Sequence, residues 1–438
     1  MKTLSCRFLQ RAIYFAPDEI RHCCKRFFYD DEMRGDVRIF PMNSNRDFSL
    51  GKVLAEKKDL IDKINRGVKT DCFGCPELEF YEWLDVKDEK FDLISIEHHS
   101  RCNMKCSYCS EVYYGGKVAN YDLLSCLEEL VDNDKIRNDL QVAWGGGEPT
   151  MTKNFAEVIN FVNSKLKPHK QRFFSNAIIY SEEIASLLHS NKASLTTSVD
   201  AGTAETFEKV RGVKQKQYEK VLKNLKKYFD VSPNNVVIKY IFTEENSSFE
   251  EISKFSADIS QVGLSKANFL ISCNYKDELL TMDRGVLIMY LQYLLARQGA
   301  KTSVLDEHVR PRICEITLDI IDEKTSHVYP QVIITLIQNI RDLKKQVSKI
   351  IVWGIGGYAN LLLDKSATFR DSDVKMFVDS NPNKQGTIFR NLVVKVPREV
   401  VNHEEPILIA SSFWYHDILE QLTKLGVKRN RILPSYLI

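Results

Sequence analysis

Three cysteines, Cys102, Cys106 and Cys109, stand in one short segment with the spacing Cys-x3-Cys-x2-Cys. Thiolates this close along a chain can share one metal centre, and three of them can ligate three irons of a cubane cluster. No fourth cysteine follows at ferredoxin-like spacing, so one corner of such a centre is left open to a small chelating ligand. The competing occupant is a structural zinc ion, which is closed by four ligands; His98 or His99 could supply the fourth. The triplet comes directly after the apolar run at 91–99 (FDLISIEHH), which reads as a strand.

The chain holds 11 cysteines, and seven of them fall between residues 23 and 109 in tight groups. Clustered cysteines in a reducing compartment read as metal or redox sites rather than disulfides. The N-terminal run MKTLSCRFLQRAIYF is interrupted by Arg7 and Arg11, which argues against a signal peptide. No apolar run approaches the roughly 18 residues of a spanning helix, so a cytoplasmic, membrane-free protein is expected. The formal net charge of +2, with both signs interspersed, lacks the basic stripe of a nucleic-acid binder.

Three zones follow one another. Residues 1–90 are irregular and cysteine-bearing, with one helical stretch near 50–66. Residues 91–297 alternate short apolar runs (91–99, 140–146, 171–176, 194–200, 234–243 and 267–273) with amphipathic helical segments. Six strand-then-helix units predict an α/β fold with a parallel sheet, either open or closed into a partial (β/α)6 TIM-like barrel. Residues 298–347 read as a helical connector. From 348 to 438 a second alternation predicts a compact Rossmann-like α/β domain.

The triplet, with Tyr108 before its last cysteine and a first barrel strand ahead of it, resembles the signature of radical S-adenosylmethionine (SAM) enzymes. A second motif agrees: Gly145-Gly146-Gly147-Glu148-Pro149 follows the second strand. Read alone it is a glycine-rich turn. The resemblance implies that a 4Fe–4S cluster on Cys102, Cys106 and Cys109 binds the amino and carboxylate groups of SAM at its open iron. It implies that Gly146, Gly147, Glu148 and Pro149 meet the methionine amino group and that Tyr108 packs near the adenine. In that family an electron from the cluster breaks a sulfur–carbon bond of SAM, and the resulting 5′-deoxyadenosyl radical removes a substrate hydrogen atom. An electron donor such as flavodoxin or ferredoxin is implied with it. Ser175-Asn176 and Ser198 end later strands where the family places polar groups, and Arg211-Gly212 resembles a family element after the fourth strand. Ser198 and Arg211 are therefore SAM-contact candidates. Asp200 reads equally as a helix N-cap, and Lys239 as a lumen or a surface lysine.

Cys72-x2-Cys75 followed by Pro76 is typical of iron–sulfur ligation and of zinc ribbons. The segment resembles auxiliary-cluster (SPASM or twitch) modules, though these lie after the barrel in the family. The resemblance implies an auxiliary 4Fe–4S cluster on Cys24, Cys72 and Cys75, its fourth ligand Cys23, Cys273 or Cys314, with zinc as the alternative. Cys23 reads also as a buried apolar thiol. Cys126 lies on an amphipathic helix and reads as core, and Cys6 shows no partner. Cys273 and Cys314 are conceivable hydrogen donors.

Gly354, Gly356 and Gly357 follow a strand and open a helix, and Asp379 ends the next strand. This is the pattern of a dinucleotide-binding unit, although Asn360 stands where the third glycine would be. The stretch VDSNPNKQG resembles small Rossmann-like domains of sugar and surface-polysaccharide enzymes. These features together point to an enzyme acting by radical SAM chemistry on a carbohydrate or nucleotide-sugar, by oxidation, epimerisation or dehydration. The alternatives are a peptide-modifying maturase and a non-catalytic iron–sulfur or zinc scaffold.

Overall fold

The computed structural model describes residues 2–29, 32–109, 115–274, 281–306, 348–366, 369–411 and 415–433, with scattered positions between 309 and 342. The expected helical connector falls mostly outside the described residues, as does Cys314. The chain divides into two compact units, Met1–Lys239 and Tyr240–Ile438.

In the first unit a sheet runs through Arg38–Pro41, Glu19–Arg21, Ala12–Phe15, Phe91–Ile96, Ile136–Trp144, Lys170–Phe174, Ala193–Ser198 and the start of Val236–Phe242. The strands from Ala12–Phe15 onward pair in parallel. Helices Leu123–Asp132, Phe155–Phe161, Glu182–His189, Ala204–Arg211 and Lys216–Val231 supply the crossovers. The architecture is the expected mixed α/β fold built on a large parallel sheet.

Side-chain alternation sorts the two faces. Ile96, Trp144, Phe173, Leu195 and Val236 are in register and buried. Trp144 stacks on Phe173 with ring centroids 5.4 Å apart, and its indole N–H donates to Gln171 Oε1 at 2.9 Å. A buried aromatic pair of this kind adds about 0.5–1.5 kcal/mol beyond its area. The opposite face carries Tyr14, Ser95, Ala143, Arg172 and Ser194 in register. Cys126 is buried on helix Leu123–Asp132, as its amphipathic pattern predicts.

The N-terminal zone is less separate than its irregular sequence suggests. Ala12–Phe15 adds in parallel to the first barrel strand, with Tyr14 opposite Ser95. Glu19–Arg21 and Arg38–Pro41 extend that edge in antiparallel fashion. Helix Leu50–Asn65 packs over them through Val53, Ile61 and Ile64.

In the second unit, Asn268–Cys273 and Thr302–Leu305 pair in parallel beside helices Phe249–Gln261 and Met282–Arg297. Its C-terminal part is a three-stranded parallel sheet in the order Asp373–Val378, Lys349–Trp353, Ile407–Ile409. Helices Gly357–Lys365 and Tyr415–Lys424 belong to it. Ile351, Trp353, Val378, Ile407 and Leu422 form its core. The apolar run LVVKVP yields only a two-residue strand, Leu392–Val393, paired with Ile388–Phe389 in a hairpin. Its turn residues Arg390 and Asn391 sit at positive φ.

Candidate active site and the cysteine sites

The strands Phe91–Ile96, Ile136–Trp144, Lys170–Phe174 and Ala193–Ser198 end at one edge of the sheet, and the loops that leave them carry the expected site residues. This is where barrel-type folds hold their chemistry.

The cysteine loop is fastened from below. The Lys105 amide donates to Arg211 O at 3.0 Å and the Ser107 amide to Val210 O at 2.9 Å. Gly212 is left-handed (φ +62), and a Cβ there would stand 2.2 Å from Lys105 O. Only glycine lets helix Ala204–Arg211 end this close to the loop. Cys109 closes a turn on Cys106 through an N–H···O bond of 3.0 Å.

Arg211 is 5% exposed and its partners are internal. Its Nη1 meets Asp200 Oδ2 at 2.8 Å and also the Tyr108 hydroxyl. The Tyr108 hydroxyl donates to the same carboxylate oxygen at 2.6 Å. Arg211, expected as a SAM contact, thus fastens Tyr108 and Asp200 to one another beside the loop. Asp200, expected as a possible helix cap, is fully buried at φ +59 as the anion of this triad; Thr203 caps the helix instead.

The glycine run fits against the same loop. The Gly147 amide donates to His99 O at 3.0 Å and the Glu148 amide to Arg101 O at 2.8 Å. Gly146 has φ +84, and a Cβ there would meet His99 O at 2.7 Å; one at Gly147 would meet Arg101 O at 2.0 Å. The buried Glu148 carboxylate accepts from the Asn176 amide at 2.7 Å, Ser175 Oγ at 2.8 Å and Thr150 Oγ1 at 2.7 Å. Burial pushes its pKa up, and these donors oppose the shift. Pro149 is buried and opens a 3-10 turn. Asn176 in turn donates from Nδ2 to Asn103 Oδ1 at 2.6 Å and to Cys102 Sγ at 3.5 Å.

The donor set suits a three-thiolate centre. Cys102 is exposed, and Cys106 and Cys109 are half-buried. Loss of water pushes the Cys102 and Cys106 thiols up. Opposing that, Cys102 receives the Met104 amide at 3.4 Å, and the Arg211 cation favours ionisation of Cys106. The histidines considered for a zinc site turn away. His99 Nε2 lies 2.7 Å from Thr152 Oγ1, and both His98 and His99 line a cavity that has no cysteine in its wall. The side chains are not drawn to one point: among the described residues, no three His, Cys, Asp or Glu are gathered at liganding distance.

Ser198 is half-buried at the end of its strand and stands opposite Lys239 in register. Both share the face that holds Arg172 and Phe174. The lysine therefore lies with Val237 on the sheet face opposite the buried Leu195 and Val236, the alternation its sequence suggests. Sequence reasoning passed over Glu97, which is half-buried beside the glycine run: its Cγ would lie 3.7 Å from a Cβ at Gly145. Ser95 Oγ donates to its carboxylate at 2.8 Å, and burial pushes its pKa up. A carboxylate just past a strand's end was the available signal.

The second cysteine group differs from its expected form. Cys6, Cys23, Cys72 and Cys75 line one cavity, whereas Cys24 points away toward Tyr14 and Glu97. Adjacent residues leave the chain on opposite sides here, so Cys23 is buried and Cys24 exposed. Cys6, which shows no partner in the sequence, lines this cavity with them. Cys273 is buried at the end of its own strand in the second unit.

In the C-terminal domain Gly354, Gly356, Gly357 and Asp379 line one cavity of ≈ 680 Å³. It opens at the carboxyl ends of the strands, where the strand order reverses, which is the usual place for a ligand in such sheets. Gly354 (φ +105) lets the backbone pass Ala410 O, which a Cβ would approach to 2.9 Å; around Gly356 and Gly357 a Cβ would meet open space. Asp379 accepts the amides of Ile355 at 3.2 Å and Asn381 at 2.9 Å.

With this geometry in view, the matches to known families fall into place. Residues 96–256 match the model of the Radical SAM superfamily, and residues 346–433 match a family described as C2185-like, N-terminal. The chain thus carries a radical SAM domain, whose family consists of enzymes that use a 4Fe–4S cluster and SAM. More particularly, it resembles GTP 3′,8-cyclases. That of Syntrophomonas wolfei is 25% identical over 179 residues, covering 39% of this chain and 54% of the relative. That of Vibrio cholerae is 22% identical over 176 residues, covering 40% and 52%. The chain spans about half the length of the curated relatives it matches. Among solved structures, Streptococcus suis SuiB bound to S-adenosylmethionine aligns with TM-score 0.40 at 15% identity, over 60% of this chain and 58% of that one. Native anSMEcpe with bound AdoMet aligns with TM-score 0.38 at 18% identity, over 49% and 63%. Among the described residues no helix is long and apolar enough to cross a membrane.

Proposed function

We propose that this chain reductively cleaves SAM at a 4Fe–4S cluster held by Cys102, Cys106 and Cys109, and removes a hydrogen atom from a substrate. The observation that carries this reading is the joint between the two motifs. The glycine run donates two backbone amides to the start of the cysteine loop, at His99 O and Arg101 O. Glu148 ties the same run to Ser175 and Asn176, and Asn176 reaches Cys102. When bound, the cluster supplies one electron to the sulfonium of SAM, leaving methionine and a 5′-deoxyadenosyl radical.

The chain's own residues set the stage for that step. Arg211, Asp200 and Tyr108 hold the cysteine loop at a fixed height above the sheet. The glycines keep side chains out of the space beside it. Lys239 and Ser198, which share one face of the sheet, are placed to meet an anionic or hydroxyl group of SAM or substrate. A low-potential flavodoxin or ferredoxin in a reducing cytoplasm suits the electron requirement.

The substrate in this reading carries a nucleotide or nucleotide-sugar handle. The support is the C-terminal cavity, which is roomy enough for such a ligand and is lined by a glycine turn, a helix start and an acid. Anaerobic reconstitution with iron, sulfide, reductant and SAM tests the chemistry. 5′-Deoxyadenosine should form, and replacing Cys102, Cys106 and Cys109 by alanine should abolish it. A thermal-shift series with UDP-, GDP- and CDP-sugars tests the handle. No shift with any of them, together with binding of a short precursor peptide, would turn the assignment to a peptide-modifying enzyme.

A further inference from the structure

We infer that Cys6, Cys23, Cys72 and Cys75 form a tetrathiolate site for a single divalent metal ion of the zinc class, separate from the SAM cluster and not an auxiliary cubane.

Three elements separate in sequence bring these residues together. Cys6 is the N-cap of helix Arg7–Arg11. Cys23 follows strand Glu19–Arg21, and Cys72 and Cys75 lie in one turn. That turn is built for two ligands: Gly74 takes φ +80, and the Cys75 amide donates to Cys72 O at 3.0 Å. A Cβ on Gly74 would lie 2.1 Å from the ring of Tyr29, so the turn admits glycine alone. Cys-x2-Cys turns of this form supply pairs of ligands in structural zinc sites.

Burial pushes all four thiols up, and backbone amides at three of the four sulfurs oppose that shift. Cys6 Sγ accepts the Leu9 amide at 3.4 Å. Backbone amides of Val37 and Lys25 point at Cys23, and that of Glu77 at Cys75. Neutral thiols are weak acceptors and gain little from such donors; anionic sulfur gains more.

A fully buried lysine provides the second, independent observation. Lys57 is 0% exposed, and its Nζ donates to Leu9 O at 2.9 Å and Ala12 O at 2.7 Å. No carboxylate is among these partners. Burial pushes its pKa down to about 7, and the groups whose negative charge would oppose that and favour the ammonium form are Cys6 and Cys23. A buried ammonium needs a counter-charge. Four thiolates around a divalent ion carry net charge −2 and would supply it.

Size selects the occupant. The cavity that the four thiols help to line has a volume of ≈ 10 Å³, about one water-sized sphere. The four sulfurs do not yet stand at liganding distance; turned inward they would close on one ion, whereas a cubane would force the walls apart. Those walls include Phe8, Leu9, Phe27, Val37 and Leu78, which shield a metal–thiolate centre from water, beside the Lys25–Glu77 ion pair. The surrounding core is small, and metal binding to such a segment is folding free energy.

Metal and sulfide analysis of the full chain in which Cys102, Cys106 and Cys109 are alanine isolates this site from the SAM cluster. The expected result is one equivalent of zinc, or of iron, without acid-labile sulfide. Iron with matching labile sulfide would overturn the proposal, and so would a chain without metal. Cobalt(II) loading of the same protein should give the absorption of a tetrahedral thiolate site, lost in Cys72→Ser and kept in Cys126→Ala; a spectrum without it would contradict the assignment. Lys57→Met adds a readout that mere packing would not move. It should raise the melting temperature of the metal-free chain and weaken metal retention. A change of the same sign in both would sink the counter-charge argument. None of these outcomes depends on SAM cleavage.

Discussion

Arg211 and Asp200 form a buried ion pair, Nη1 to Oδ2 2.8 Å, with side chains 6% and 0% exposed. Removing one member of such a pair leaves a charge without solvent or partner, at a cost of about 3–5 kcal/mol. Arg211→Met should therefore lose stability on that scale in urea unfolding. It should also release Tyr108 and slow 5′-deoxyadenosine formation at least tenfold, even when iron content is restored. Unchanged turnover would show that the cysteine loop does not depend on this anchor.

Gly147→Ala should abolish SAM cleavage, because its Cβ would stand 2.0 Å from Arg101 O, a backbone atom that cannot yield cheaply. Gly356→Ala is the contrast. Its backbone is extended (φ −92) and a Cβ there meets nothing within 4 Å, so stability should stay within about 0.5 kcal/mol. Nucleotide affinity should fall, since the methyl enters the C-terminal cavity. Calorimetric unfolding and ligand titration of both variants separate the two effects.

Glu148→Gln would turn an amide N–H toward donors that now point at a carboxylate. The loss of charged hydrogen bonds should cost about 2 kcal/mol. SAM affinity should drop while the iron content of the Cys102 loop is retained. Equilibrium dialysis against SAM checks the first and iron analysis the second.

His98 is held neutral by burial, its pKa lowered to about 4. The unfolded chain takes up this proton near pH 6.5, before the folded one does. This contribution to stability is complete above pH 6.5, declines as pH falls from 6.5 to about 4, and is flat below. His98→Gln should flatten that part of the stability–pH curve. An unaltered slope would assign the acid sensitivity to other groups.

The radical SAM core was legible because its signals are local. Cys102, Cys106, Cys109 and the run Gly146–Pro149 each fit in one turn, and alternation placed the strands that end at them. What the sequence withheld depends on long-range closure. Whether Cys23 or Cys24 faces a site is decided by the side on which an irregular segment meets Cys72 and Cys75, and no local pattern encodes that. Cys6 joins them only because strand Ala12–Phe15 docks on the barrel edge. Arg211 illustrates a third limit: its position was readable, but its pairing with Asp200 and Tyr108 follows from how helix Ala204–Arg211 meets the loop.

A cluster held by Cys102, Cys106 and Cys109 alone has one iron corner with no protein ligand. Electron paramagnetic resonance of the reduced, reconstituted full chain, recorded with and without SAM, reads that corner directly. The account predicts that SAM shifts the cluster signal, and that the shift vanishes with the signal itself in the Cys102→Ala, Cys106→Ala, Cys109→Ala chain. A reduced-cluster spectrum that SAM leaves unchanged would contradict it.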